Sequence, residues 1–467
     1  MSEAFDAIVV GAGQAGPSLV GRLAAAGMRV ALVERHLLGG TCVNTGCMPT
    51  KTLVASARVA HLARRAADYG VQLQGEVGID IARVMARAHA VTDSARGNLQ
   101  AWLDGMAGAT VLQGHARFEA PDVLRVGERR IAAPRIFLNV GGRAHVPALP
   151  GVDRIDYLTN VSILQLREVP RHLAVIGGSY IGLEFAQIFR RLGAQVTVVE
   201  QQSRLIARED EDVSACIRQV LEGEGVAVRT DARCIAFAPH AQGAAVQVDC
   251  TQGAPEVVAS HVLLAMGRRP NTDDLGLAQA GIATDARGYI VVDEQLATNV
   301  PGVWALGDCN GRGAFTHTAY NDYEIVAANL LDGGRRMLSQ RVPGYALYTD
   351  PPLGRVGMTE AQARASGRPL LVAKRPMTQV GRARENGETA GFMKLVADAQ
   401  TRRILGAAIL GINGDEAIHG VLDLINADQP LETLQWAVPI HPTVSELWPS
   451  VVGALEPGPG TGDQGPD

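Results

Sequence analysis

Two cysteines five residues apart, Cys42 and Cys47, lie in the glycine-framed segment Gly39-Gly-Thr-Cys-Val-Asn-Thr-Gly-Cys-Met-Pro-Thr-Lys51. Thiols this close in sequence can exchange electrons as dithiol and disulfide, hold a soft metal, or pack as small apolar side chains. Along an ideal helix five residues rise about 7.5 Å and point to different faces. A disulfide needs Cα atoms roughly 4.4–6.8 Å apart. Cys42 and Cys47 can therefore bridge only across an irregular backbone, which Gly39, Gly40 and Gly46 permit. Pro49 suits the first turn of a helix, where its missing N–H costs nothing. The spacing thus predicts a helix that begins near Cys47 and runs through Lys51 to Arg58. Cys47 would sit at the positive helix end, which stabilises a thiolate, with Lys51 four residues on along the same face. Zinc is a poor fit, because neither a second CxxC nor a matching histidine pair accompanies the cysteines, and no metal site is expected.

Elements that could serve such a pair stand on both sides of it. Residues 5–34 read as strand, glycine loop, helix and strand, with Gly11-Ala-Gly13-Gln-Ala-Gly16 in the loop and Glu34 closing the unit 18 residues after Gly16. Gly11 makes the tight turn, Gly13 lets the backbone approach a pyrophosphate, and Gly16 lets helix and strand pack closely. The helix N-terminus faces the anion, and the acid can accept from a ribose hydroxyl. The pattern returns at Gly177-Gly-Ser179-Tyr180-Ile-Gly182, with Glu200 again 18 residues after the last glycine. Ser179 replaces the middle glycine and is still small enough for a close phosphate approach. A carboxylate at Glu200 favours the free 2′-hydroxyl of NADH over the phosphate of NADPH, with Arg204 and Arg208 nearby to temper that preference. A third segment, Gln295 to Cys309, reads as a short apolar strand ending in Gly307-Asp308. A buried acid there needs a polar ligand such as a flavin ribityl chain. The plain alternative is an aspartate capping a helix that starts at Thr318. Cys309 reads as packing.

The chain has 467 residues, 47% hydrophobic and 19% charged, which suits a globular protein of about three domains. A net charge of −5 gives no reason to expect nucleic acid or an anionic membrane as partner. Six cysteines are too few for a secreted disulfide scaffold. Neither a signal peptide nor a membrane span is legible, so a reducing cytoplasm is the expected compartment.

With these motifs in place the chain resembles the class I pyridine nucleotide–disulfide oxidoreductases over about Asp6 to Leu455. The family segment GG-T-C-x4-C-x-P-[ST]-K is complete at 39–51. The resemblance implies an α/β fold with two Rossmann-like domains, an NAD(P) domain inserted in an FAD domain, and an α+β C-terminal dimerisation domain. Expected boundaries are 1–150 and 271–340 for FAD, 151–270 for NAD(P), 341–456 for dimerisation, and a disordered Pro/Gly-rich tail at 457–467. It implies that Cys42 is the interchange thiol, that Cys47 lies against the flavin, and that Lys51 sits near the flavin paired with Glu184. Tyr180 would cover the empty nicotinamide site. His441, in His441-Pro-Thr-Val-Ser-Glu446, would act as acid/base on the partner subunit's interchange thiol, positioned by Glu446. The enzyme would then be an obligate homodimer. Gly142 and Gly267, the latter closing the NAD(P) domain, are expected to bind the cofactors, although Asn139-Val-Gly-Gly142 replaces the family's Ala-Thr-Gly and leaves that flavin contact open.

The departures narrow the substrate. The last cysteine is Cys309, so the C-terminal pair of mercuric reductases is missing, as is the redox-active tail of large thioredoxin reductases. Glu200 stands where glutathione reductases carry basic residues. The expected activity is reduction of a disulfide or another thiol-reactive oxidant by NAD(P)H through FAD and Cys42–Cys47. Dihydrolipoyl dehydrogenase is the alternative, and mercuric ion reduction ranks third. A flavin-binding redox sensor without turnover is the competing class.

Overall fold

The computed structural model describes residues 2–233, 235–249 and 253–458. Each glycine loop does what its spacing predicts. The strand Ala7–Val10 runs into the loop, the helix Ala15–Ala25 leaves it, and Val30–Glu34 returns parallel to the first strand. The second copy is His172–Ile176, Tyr180–Arg191 and Gln195–Val199, again parallel. Gly11 has φ +102° and Gly177 φ +115°, and a Cβ at either would stand 2.3 Å and 2.4 Å from the carbonyl oxygens of Asn139 and Ala265. A Cβ on Gly16 or Gly182 would lie 2.1 Å or 2.0 Å from the carbonyl oxygen of the first glycine of its own loop. These contacts exclude any side chain, so the third glycine is what lets helix and strand close up.

The first loop belongs to a five-stranded parallel sheet, ordered Val303–Ala305, Ile136–Leu138, Ala7–Val10, Val30–Glu34 and Ala109–Gln113. The second belongs to a four-stranded parallel sheet, Ala227–Arg229, Gln195–Val199, His172–Ile176 and His261–Leu264. The strands of both sheets are apolar and largely buried, as sheets covered on both faces require. A six-stranded antiparallel sheet with edges at Gly344–Leu347 and Glu456–Pro457 builds the C-terminal part. The α/β expectation with a separate C-terminal α+β unit therefore holds. Among the described residues no helix is long and apolar enough to cross a membrane.

The helix that starts at the cysteines is locked between the second nucleotide unit and the C-terminal sheet. It runs Cys47–Arg64, and its Leu53 and Ala57 join Leu183 and Ala186 of the second nucleotide helix and Leu347 and Leu353 of the C-terminal sheet in one core. Salt bridges reinforce that junction. Asp350 takes Arg58 at 2.6 Å and Arg191 at 2.5 Å, Arg58 also meets Glu388 at 2.7 Å, and Arg191 meets Glu224 at 2.7 Å.

Three local expectations need correction. The third segment forms a strand only over Val303–Ala305, because Gly307–Asn310 winds into a 3-10 turn. The following helix starts at Thr316, two residues before the expected Thr318, and its N-cap is Phe315, so Asp308 does not cap it. The disordered tail does not begin at Pro457. Glu456 and Pro457 pair with Val372 and Leu371, and Gly458 N–H donates to the Leu370 carbonyl. Residues 459–467 of the expected tail lie outside the described residues.

Candidate active site

The redox segment folds as two helices with a break between them. Gly39 and Gly40 have φ +95° and +59°, starting a short helix Gly40–Thr45 that carries Cys42. Gly46, at φ −133° and ψ −117°, breaks the backbone and starts Cys47–Arg64. The irregular backbone is thus a single glycine hinge, and Cys47 occupies the first position of the long helix, as the spacing predicts. Both cysteines are free thiols. They are electrostatically unequal. A hydrogen bond from Cys42, assisted by Thr316 and Lys51 against the cost of burial, pulls the Cys47 thiol down to about 6. The same bond, burial and the Cys47 charge push the Cys42 thiol well up. Cys47 is therefore the resident thiolate and Cys42 the proton-bearing partner, the asymmetry a dithiol needs for directional exchange.

Lys51, one turn into the helix, reaches the second nucleotide helix. Its Nζ lies 2.7 Å and 3.0 Å from the Glu184 carboxylate oxygens, and 4.6 Å from the Tyr348 ring centre. Glu184 is buried and also accepts from the Tyr348 backbone N–H at 3.1 Å. Lys51–Glu184 is thus brought together as expected. Thr316, the first residue of Thr316–Leu331, places its Oγ1 3.3 Å from Cys47 Sγ. Sequence reasoning missed Thr316 because it started that helix two residues late. An N1 hydroxyl after an aromatic N-cap was the available signal.

Tyr180 opens the second nucleotide helix and packs edge-on against Phe315 and Tyr345, with ring centres 6.1 Å and 5.7 Å apart. Since Phe315 precedes Thr316, this ring stands at the boundary between the second nucleotide loop and the thiol site. Burial, with Glu209 nearby, pushes the Tyr180 hydroxyl up to about 12, so it stays protonated.

Glu34 and Glu200 occupy equivalent places in the two loops. Ala12 N–H donates to Glu34 at 2.9 Å and His36 N–H at 2.8 Å; Gly178 N–H and Gln202 N–H donate to Glu200 at 2.6 Å and 2.7 Å. Each carboxylate is held by backbone donors at the mouth of its loop, with further lone pairs free for ribose hydroxyls. Ser179 has extended backbone and is exposed beside Tyr180. Arg204 turns back onto the Ala207 and Glu209 carbonyls of its own loop.

The residues around the first loop fit a flavin dinucleotide. Asp308 is half-buried, its side chain 26% exposed, and burial pushes its carboxyl up against the opposing pull of Arg268, whose Nε is 3.6 Å away. Such an acid suits a hydroxyl-bearing ligand that can donate to it. Gly142 pairs with Pro270 in the crossing between 142–144 and 268–270, and a Cβ there would stand 2.9 Å from the Arg269 carbonyl oxygen. Gly267, at φ +107°, leaves open space where a side chain would be. Asn139, the departure from the family pattern, braces the first loop: its Nδ2 donates to the Gly11 carbonyl at 3.3 Å and lies 3.3 Å from where a Gly13 Cβ would be. Buried Cys309 donates to the Leu138 and Leu306 carbonyls, and burial pushes its thiol up to about 12, a packing residue as expected.

His441 and Glu446 stand apart from the thiols in this chain. The imidazole Nδ1 is 2.8 Å from Glu446 Oε2, and the ring is 80% exposed. The preceding Trp436, Val438 and Ile440 are 76%, 96% and 80% exposed, an apolar run that a monomer in water would not leave uncovered. The structure thus brings Glu446 to His441, but not His441 to Cys42 within one chain.

Residues 5–322 match the family described as pyridine nucleotide-disulphide oxidoreductase, and residues 343–451 match its dimerisation domain. The chain belongs to this family. It is an oxidoreductase, and the family implies FAD and a pyridine nucleotide as cofactors. Among its relatives, the probable pyridine nucleotide-disulfide oxidoreductase RclA of Escherichia coli (strain K12) is 36% identical over 451 residues, covering 95% of this chain and 97% of that one. A dihydrolipoyl dehydrogenase of Thermus scotoductus is 33% identical, covering 95% of each chain. A mercuric reductase of Streptomyces lividans is also 33% identical, covering 92% of each. The solved structure of the HOCl-induced flavoprotein disulfide reductase RclA from Escherichia coli superposes with a TM-score of 0.87 at 35% identity, covering 96% of this chain and 99% of that one. A Cu(II) complex of the same protein superposes with a TM-score of 0.88.

Proposed function

We propose that this oxidoreductase is a homodimeric flavoenzyme that uses NADH, in a reducing cytoplasm, to reduce a disulfide or another thiol-reactive oxidant through Cys42 and Cys47. The observation that carries the reading is the unequal thiol pair at the start of Cys47–Arg64, with the Lys51–Glu184 ion pair one turn away. The first loop, Asp308 and Lys51 would hold FAD, which would supply two-electron transfer from the nicotinamide to the Cys42–Cys47 disulfide. The expected division of 1–150 and 271–340 for FAD and 151–270 for the nucleotide belongs to this proposal.

The chain's own residues then complete the exchange. Reduction leaves Cys47 as thiolate and Cys42 as thiol. Because the Cys42 proton is held tightly, a base must remove it, and His441 of the partner subunit, oriented by Glu446, is the assigned base. The Cys42 thiolate attacks one sulfur of the acceptor disulfide, and the imidazolium returns its proton to the departing thiolate. The Cys47 thiolate then attacks Cys42 Sγ, re-forming the internal disulfide and releasing the second sulfur as a thiolate that takes its proton from solvent. Glu200 at the second loop, with Arg204 engaged by its own loop, favours NADH over NADPH.

Anaerobic titration with NADH tests the reading. The reduced wild type should develop a long-wavelength thiolate–flavin band, and a protein without that band would be a sensor or scaffold. Cys42→Ser should keep the band and lose turnover, whereas Cys47→Ser should lose both. A steady-state panel of glutathione disulfide, hypothiocyanite, dihydrolipoamide with NAD+, Hg(II) and Cu(II) then ranks acceptors. Dihydrolipoamide oxidation is the second reading, favoured by the His441–Glu446 pair. Strong preference for Hg(II) would overturn the argument from the missing C-terminal cysteines.

A further inference from the structure

Tyr180 is held from behind by a buried polar anchor that belongs to another domain. Its ring meets the edge of Tyr345 with centres 5.7 Å apart, and Tyr345 in turn stacks on Phe315 at 5.6 Å with the planes 9° apart. The Tyr345 hydroxyl donates to Glu209, whose other carboxylate oxygen accepts from Arg355 Nη2 at 2.5 Å and Nε at 3.2 Å. The Arg355 and Glu209 side chains are 1% and 0% exposed, and Arg355 also meets Asp210 at 3.2 Å. Tyr345 and Arg355 face each other as cross-strand partners in the C-terminal sheet. Glu209 and Asp210 come instead from the second nucleotide unit, just before the helix Glu211–Gly223. A tyrosine hydroxyl fixed to a desolvated ion pair has little rotational freedom, so the ring it carries is a fixed wall.

We propose that Tyr345, anchored by Glu209–Arg355, is a positioning residue that holds Tyr180 over the nicotinamide site and so sets the affinity for the nicotinamide end of the dinucleotide. This rests on the proposed use of NADH together with the place over the nicotinamide site that the resemblance implies for Tyr180, which must then leave its slot for the nicotinamide to enter. A nucleotide that binds only the open state has an apparent dissociation constant raised by the reciprocal of the open fraction. Each edge-on contact of Tyr180 with its wall favours the closed state. Loosening the wall raises the open fraction and tightens nicotinamide binding, while the adenosine half, which binds at Glu200 and the glycine loop, is indifferent. An ordinary packing role would weaken both or neither.

The test is calorimetric titration of the oxidised holoenzyme with NAD+ and, separately, with ADP-ribose, which lacks the nicotinamide. Tyr345→Leu, which removes the ring, should tighten NAD+ by roughly two- to tenfold, the range of one aromatic pair contact, and leave ADP-ribose unchanged. Tyr345→Phe, which keeps the ring and loses only the anchor, should move NAD+ in the same direction by less. Unchanged ADP-ribose affinity doubles as proof that the nucleotide unit is folded in each variant. Tyr180→Ala serves as reference for an absent gate. If Tyr180→Ala tightens NAD+ but both Tyr345 variants match wild type, the positioning role is wrong and the gate stands. If Tyr180→Ala also leaves the NAD+ to ADP-ribose ratio unchanged, the gate itself is wrong.

Discussion

Lys51 Nζ sits 2.7 Å from Glu184 Oε2, joining the helix that begins at Cys47 to the helix that begins at Tyr180. The side chains are 33% and 6% exposed, so the carboxylate is desolvated while the ammonium still faces the thiol site. The pair therefore fixes one positive charge beside the thiols, where the proposed mechanism brings the electrons. Glu184→Gln keeps the shape and removes the charge that orients Lys51. A hydrogen bond to a charged group contributes about 1.5–3 kcal/mol, so reduction of the enzyme by NADH should slow roughly 10- to 100-fold. The dissociation constant for ADP-ribose should stay the same. Anaerobic stopped-flow spectroscopy reads the first quantity, and an equal loss in both would show that Glu184 merely holds the nucleotide unit together.

Cys47 should remain a thiolate through neutral pH. Its ordinary value of 9.0 is lowered to about 6, first by the hydrogen bond from Cys42. The charged form is thus favoured above that value and lost as the pH falls through it. In the dithiol state, alkylation of Cys47 by iodoacetamide should be nearly constant from pH 8 to 7 and should drop about tenfold per unit well below pH 6. Alkylation of Cys42 should keep rising with pH across the same range, because its thiol is shifted upward. Peptide mapping of the labelled protein separates the two, and identical profiles would contradict the assigned inequality.

Much of this site was legible because its parts follow fixed backbone chemistry. Gly11, Gly16, Gly177 and Gly182 are positions where a Cβ would collide with a carbonyl, and such constraints survive any tertiary context. Pro49 and Gly46 likewise announced the start of the redox helix. Contacts between distant segments were not legible from spacing. Thr316 beside Cys47 is 269 residues away in sequence, and Tyr345 reaches Glu209 over 136. Asn139 read as a departure from the family turn, yet it spans the Gly11 loop through an amide that the usual alanine lacks. Resemblance supplied Glu184 and His441, which alone read as a helical charge and a structural histidine. The tail boundary failed at Pro457 because proline is tolerated on an edge strand, where its missing donor faces outward.

Asp350 should be a stability hub for the redox helix. It neutralises Arg58 and Arg191 at once, and it is only 12% exposed. Burial raises the cost of its charge, but the two guanidiniums outweigh that and hold the carboxyl below its ordinary range. Asp350→Asn removes the carboxylate that joins Arg58 and Arg191, each of which keeps one glutamate partner, and should cost about 1.5–3 kcal/mol, read as a lower urea midpoint. The sign with pH follows from the downward shift. The contribution is complete above the unfolded-state value of 3.8 and is lost as the pH falls through the lower folded value. The gap between wild type and variant should therefore be constant near neutrality and close only in acid. A gap that narrows between pH 6 and 8 would assign it to another group.

The placement of His441 makes the strongest demand on assembly. With its ring 80% exposed and held by Glu446, it serves Cys42 from a second chain in the proposed mechanism. Val438, 96% exposed in the same segment, should be covered in that dimer. Val438→Asp should shift the protein toward monomer in analytical ultracentrifugation and remove turnover with the acceptor, while NADH still reduces the flavin. Complementation isolates the shared site from general damage. Cys42→Ser and His441→Ala homodimers should each be nearly inactive, the first lacking the nucleophile and the second its base. In a two-fold symmetric dimer, a heterodimer of the two variants has one site with both defects and one with neither. Random co-assembly makes half of the dimers mixed, so co-expressed variants should recover about a quarter of wild-type turnover. Purified variants mixed without subunit exchange should recover none. If both homodimers are inactive and co-expression also recovers none while dimers form, His441 acts within its own chain.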